Sequence, residues 1–156
     1  MKSLKPQNLS TKTFLAFGDV IELSEKPNDV TKNQRWANAS VPNFENGKPM
    51  IDILYSALRP LEVTQLEMHN NSSQTFIPLN AQPFIIIVGI DPKHLNAFIS
   101  NDHQGITLKA GIWHCSPLPT KKSVFFALLH RSPEVDLNNQ TINLPTTINL
   151  KLNGVY

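Results

Sequence analysis

A chain of 156 residues, 40% hydrophobic and 17% charged with a net charge of +2, suits one globular domain over 1–156 and excludes a strongly basic nucleic-acid surface. Its lone cysteine, Cys115, excludes an internal disulfide. The longest apolar run, FIIIVGI at 84–90, is too short to span a bilayer. The N-terminus, MKSLKPQNLSTK, lacks the apolar centre of a signal peptide. These features read as a cytoplasmic protein with no nucleic-acid or membrane partner.

Twelve prolines, six glycines and many asparagines separate short runs rich in Ile, Val, Leu and Phe, a punctuation that favours an all-β barrel or sandwich. One helix is predicted at TKTFLAF, capped by Ser10 or Thr11 and stopped by Gly18 at the C′ position. DVIEL (19–23) reads as a strand. Residues 24–49 are polar and form a long excursion, with Arg35-Trp36 as its anchor. MIDILYSAL (50–58) and LEVTQLEMH (61–69) alternate as strands do. In the second, Val63, Gln65, Glu67 and His69 share one face, and Leu66 and Met68 take the other. TFIPL (75–79) is a short strand. QPFIIIVGI (82–90) is apolar on both faces and therefore central. LNAFIS (95–100), ITLKAGIWH (106–114) and SVFFALLH (123–130) complete the core, and TTINLKLN (146–153) reads as an edge strand. About eight to ten short strands with a short N-terminal helix fit a β-barrel of the jelly-roll type.

Five histidines are candidates for chemistry. His94 and His103 lie in turn-like stretches and read as solvated. His130 ends an apolar strand beside Arg131, where a strand meets water. His69 and His114 differ. Gln74 follows His69 across a tight turn, so a hairpin aims both side chains into one cavity. Gly111 lets the strand before His114 bend, and Ser116-Pro117 ends its ladder. Two inward histidines on neighbouring barrel strands converge at the mouth, a common ligand site. If His114 points inward, Cys115 points away, which favours a buried apolar role for the thiol over a nucleophile.

The pattern His69-x4-Gln74 followed by Gly111-x2-His114 resembles the two-part motif of cupins. Within cupin-like folds the chain resembles the ureidoglycolate lyase family, also called ureidoglycolate hydrolase. The resemblance is carried by FLAFGDVIE (14–22), LEMHNNSSQTFIPLN (66–80), PFIIIVG (83–89), LNAFISNDHQGI (95–106) and GIWHCSPLP (111–119). It implies a cupin-like β-barrel, usually a homodimer, that cleaves ureidoglycolate into glyoxylate and urea in allantoin and purine catabolism. That is a carbon–nitrogen lyase of the amidine-lyase type. It also implies that His69, Gln74, His114 and Glu67 line the pocket. Several positions depart from the family pattern: Met68 stands for Arg, Cys115 for a second His, Leu108 for a frequent Tyr and His130 for a frequent Asp.

The chemistry asks for a base on the substrate hydroxyl and an acid on the leaving ureido nitrogen, work suited to histidine. On this reading His69 or His114 is the base and Gln74 binds a substrate oxygen. Arg35 holds the small-molecule carboxylate, and Glu67 also contacts substrate. Lys109 lies at an odd offset from His114 and faces away unless the chain bends at Gly111. A divalent metal could sit on His69, Gln74 and His114, although neutral Gln is a weak ligand. The departures keep an alternative in play: a divergent cupin that binds a small carboxylate, or acts on a related 2-hydroxy acid derivative.

Overall fold

The computed structural model describes residues 2–132 and 139–152. In chain order the elements are β1 (Lys2–Leu4), β2 (Gln7–Asn8), α1 (Thr11–Phe14), β3 (Gly18–Ile21), β4 (Asp29–Val30), β5 (Arg35–Trp36), β6 (Pro49–Ser56), β7 (Glu62–Met68) and β8 (Gln74–Pro78). There follow β9 (Phe84–Asp91), β10 (His94–Ile99), β11 (Gly105–Leu108), β12 (Trp113–His114), β13 (Leu118–Pro119), β14 (Val124–Arg131) and β15 (Gln140–Leu150). One sheet runs β1-β15-β7-β12-β9-β10-β2, with β13 also on β9. The second runs β3-β11-β8-β14-β6, and β4 and β5 form a separate ribbon. The two sheets curl into a half-barrel, a cupin-like all-β fold. No described helix is long and apolar enough to cross a membrane.

The core follows from the alternation. Phe84 to Val88 of β9 are fully buried, as befits a strand covered on both faces. Each such side chain contributes about 1.5–3 kcal/mol on leaving water. On the second sheet Phe76, Val124 and Phe126 point inward, while Ile77 and Phe125 point outward. Phe126 packs edge-to-face on Phe84 of the opposite sheet, with centroids 5.2 Å apart.

The helix is shorter than predicted. Ser10 caps it, its Oγ accepting the Thr13 N–H at 3.2 Å. Phe14 is fully buried and meets Phe98 edge-to-face at 5.1 Å. Gly18 is not its C′ residue. It opens β3 opposite Leu108, and a Cβ there would sit 1.9 Å from the Thr107 carbonyl oxygen. Close strand approach, not helix termination, requires this glycine.

Three further expectations change. The tail strand starts earlier, at Gln140, and lies between β1 and β7 rather than at an edge; residue 153 lies outside the described residues. A register shift between Asn143 and Ile148 lets Pro145 sit inside the strand, where an unbroken ladder would need its missing N–H. Opposite that shift, Val63 is buried like Leu66 and Met68, so strict alternation along β7 fails. Finally, Arg35-Trp36 does not anchor the excursion, since both residues are exposed on the small ribbon. The anchors are polar: Ser40 Oγ donates to Asp19 at 2.8 Å, and Asn43 and Ser73 exchange bonds, Asn43 N–H to Ser73 Oγ at 2.7 Å and Ser73 N–H to Asn43 O at 2.8 Å.

Candidate active site

The segment 106–114, expected as one strand, is two. β11 belongs to one sheet and β12 to the other. The chain crosses between them at Gly111, whose φ is +80° and whose N–H donates to the His69 carbonyl at 2.8 Å. That conformation suits glycine. The crossing inserts β12 between β7 and β9, with His114 opposite Glu67 on one side and Val88 on the other. Glu67 and His69 are two residues apart and share a face. Gln74 starts β8 in the other sheet, opposite Leu108. The site therefore spans both sheets at the mouth of the half-barrel.

His114 is fully buried. Its Nδ1 lies 2.9 Å from the Ile112 carbonyl, which fixes Nδ1 as the donor. Its Nε2 lies 2.8 Å from Gln74 Oε1 and 3.3 Å from Glu67 Oε1. Gln74 can present either end of its amide, but the Glu67 carboxylate only accepts. His69 stacks near His114, with ring centroids 5.6 Å apart, and its Nδ1 lies 2.8 Å from Asn139 Oδ1. Both rings thus tie Nδ1 to an oxygen and turn Nε2 inward. The Glu67 carboxyl is held below its ordinary value, first by its hydrogen bond to His114 and then by the charges of His114 and His69, against the opposing effect of burial.

Ligand atoms of Glu67, His69 and His114 lie within 4.8 Å of one another. Two imidazoles and an ionised carboxylate suit a divalent cation, and histidines whose second nitrogen is tied to an oxygen are typical of such sites. The residues therefore fit a metal. Glu67, expected to contact substrate, joins His69 and His114 in this group, and Gln74 Oε1 stands beside it, 2.8 Å from His114 Nε2.

A cavity of about 180 Å³ opens beside the cluster, lined by His69, Gln74, His130, Arg131 and Asn139 with Ser72 and Ser73. Glu67, His114 and Ser116 line a neighbouring one of about 210 Å³. His130 shares the inward parity of Phe126 and Leu128 on β14, and its Nε2 lies 2.9 Å from Asp52 Oδ2 on β6. Arg131 is buried beneath the 43–48 loop, where its Nη1 meets Glu45 at 3.2 Å. Gly47 packs so closely on the Arg131 side chain that a Cβ there would reach within 2.2 Å of its Nε.

The structure brings together His69, His114, Gln74 and Glu67. It does not bring Arg35, which is exposed and lines neither cavity. Lys109 also stays away, its Nζ donating to the Leu15 carbonyl at 2.6 Å. Cys115 is buried behind His114, where its Sγ accepts the Ile87 N–H at 3.4 Å; burial pushes its thiol up to about 11. His94 and His103 are exposed, as expected. Sequence reasoning missed the His130–Asp52 pair. Its signal was a polar residue of the same parity on each of two paired strands.

A family model described as ureidoglycolate lyase matches residues 1–151. This chain belongs to the ureidoglycolate lyase family. Relatives bearing that name include one from Burkholderia mallei (strain NCTC 10229), 31% identical over 160 residues, covering 95% of this chain and 93% of the relative. One from Pseudomonas fluorescens is 33% identical over 144 residues, with 85% and 86% covered. One from Salmonella paratyphi B is 36% identical over 117 residues, with 68% and 73% covered. Cys115, where the resemblance expects a second histidine, is buried against β9 and lines the second cavity together with His114.

Proposed function

We propose that this protein is the lyase that cleaves ureidoglycolate into glyoxylate and urea. Family membership supports the reaction, and the observation that carries it to particular residues is the convergence of His69, His114 and Gln74 from both sheets. Ureidoglycolate carries a hydroxyl, a carboxylate and a ureido nitrogen on one carbon. Cleavage turns the C–O bond into a carbonyl as the C–N electron pair leaves with nitrogen. His69 and His114 are the groups for the hydroxyl proton, with their tautomers set by Asn139 and the Ile112 carbonyl. Gln74 offers an amide to a substrate oxygen. Arg131 adds positive charge beside the cavity for the carboxylate, the role expected of Arg35. Alternatively the same Nε2 atoms of His69 and His114, together with Glu67, would hold a divalent cation, which when bound supplies positive charge to the substrate oxygens in place of proton uptake by these rings.

Incubation of the purified protein with ureidoglycolate, with and without added divalent metals, tests the reading. Glyoxylate and urea should form in equal amounts. A rate no higher than the spontaneous background under all conditions would sink it.

We further infer a cytoplasmic homodimer acting in allantoin breakdown. The outer face of β6 and β14 exposes Ile51, Ile53 and Tyr55 along one strand and Phe125 opposite Tyr55 on the other, an apolar patch of the kind that mates with a second copy. Light scattering should give a dimer, and I53D should shift it to monomer; a monomeric wild type removes the inference.

A further inference from the structure

His69 and His114 each have Nδ1 engaged with an oxygen and Nε2 turned into the Glu67 cluster. Rings so occupied serve the hydroxyl end of the substrate. The leaving ureido nitrogen still needs a proton, and a second group must deliver it. His130 stands in the cavity that His69 and Gln74 line. Its side chain is 18% exposed, open enough to exchange protons with water and enclosed enough to meet an occupant of that cavity.

Its orientation is set from outside. Asp52 comes from β6, the strand that closes the second sheet, and stands diagonally across the β14–β6 pairing from His130. Asp52 Oδ2 accepts the Nε2–H at 2.9 Å. Nδ1 is thereby the ring nitrogen available to the cavity. An exposed cross-strand pair of this kind adds little to stability. A histidine braced by a carboxylate on one nitrogen, with the other directed at a substrate, is the arrangement of a proton carrier.

We propose that His130 is a further catalytic residue, the general acid that protonates the departing ureido nitrogen, with Asp52 as its positioning residue. The inference rests on the ureidoglycolate reading. In the step, His69 or His114 takes the hydroxyl proton and the O–H electron pair forms the carbonyl of glyoxylate. The C–N bond breaks, its pair stays on nitrogen, and the Nδ1 proton of the His130 imidazolium completes urea. The proton taken up at the cluster and the one lost from His130 balance, and both exchange with water. Among the described residues, the charged groups around His130 are Asp52 on β6, His69 beside β7, and Arg131 on its own strand with Glu45 against it.

The test compares wild type, H130Q and D52N by kcat, KM and pH–rate profile, with glyoxylate affinity by calorimetry and melting temperature as controls. H130Q should lower kcat by about 100-fold with KM and glyoxylate affinity within about twofold, and should remove the alkaline limb of the kcat profile. D52N releases the ring that Asp52 orients, so its kcat should fall by about tenfold with the alkaline limb retained. An H130Q enzyme with wild-type kcat and profile overturns the proposal. So do equal kcat losses in both variants with the limb in place, which would mark a structural pair. If H130Q does not fold, D52N decides by kcat: a loss of about tenfold or more at unchanged melting temperature supports the proposal, and wild-type kcat overturns it. A wild type without turnover sinks the ureidoglycolate reading instead. Titration of wild type with urea, the leaving group, followed by the His130 ring resonances, then decides contact: movement supports it and an unmoved ring overturns it.

Discussion

His114 and Glu67 face each other across the β12–β7 pairing, and His114 Nε2 lies 3.3 Å from Glu67 Oε1. A two-residue strand and one glycine crossing create this contact, and the properties of the cluster depend on it.

Replacing Glu67 with Gln keeps the shape and removes the charge. The expected loss in kcat is about 10²–10³-fold, the usual scale for a preorganised electrostatic group. Bound divalent metal, measured by elemental analysis after dialysis, should fall by about 10–100-fold in affinity if Glu67 is a ligand. An E67Q protein with unchanged turnover and metal content would refute both roles.

The same carboxylate makes a pH prediction. Its folded pKa lies below the ordinary 4.5, so its stabilisation is complete above the unfolded value and is lost as pH falls through the lower folded one. The stability gap between wild type and E67Q should therefore be steady near pH 6 and shrink on acidification below about 4.5. Glu67 is 40% exposed, so screening keeps the gap small. Urea unfolding at several pH values measures it. A gap that widens on acidification would show that the pair is not formed.

Cys115 should be chemically silent. It is buried and its thiol is pushed up to about 11. Iodoacetamide should not label native protein at pH 8, and C115A should keep kcat within about twofold while losing about 1–2 kcal/mol of stability to the small cavity. Rapid labelling, or loss of turnover in C115A, would restore the thiol as a reactive group.

Two glycines should fail differently when changed to alanine. At Gly111 no atom lies within 4 Å of the added Cβ, so only the left-handed backbone is penalised, by about 1–2 kcal/mol. At Gly18 the Cβ meets backbone, 1.9 Å from Thr107 O, and β3 must separate from β11. The expected cost is about 3 kcal/mol, the upper end for overpacking. Thermal unfolding of both variants checks the order, and G111A as the less stable of the two contradicts it.

A core truncation calibrates the fold itself. F126A removes a fully buried ring that contacts Phe76 and Phe84, at an expected cost of about 3–5 kcal/mol. A loss below about 1 kcal/mol would mean that the two sheets do not pack through this side chain.

The sequence by itself determined the all-β class, because apolar runs of strand length between prolines and glycines have few other ways to bury themselves. It also determined the central place of β9 and the buried, apolar role of Cys115. Glu67 and His69 were legible as a shared face from local alternation. Tertiary structure decided the rest. Whether 106–114 was one strand or two depended on which sheet each half would join, a choice made by non-local pairing with β3, β8, β7 and β9. That choice carried His114 to Glu67 as well as to Gln74. Arg35 and Arg131 carry the same charge in the sequence. Only the path of the 24–49 excursion, which exposes the first and buries the second under Glu45 and Gly47, set them apart. His130 and Asp52 lie 78 positions apart; alternation put both on one face of the sheet, and only the β14–β6 register brought them together.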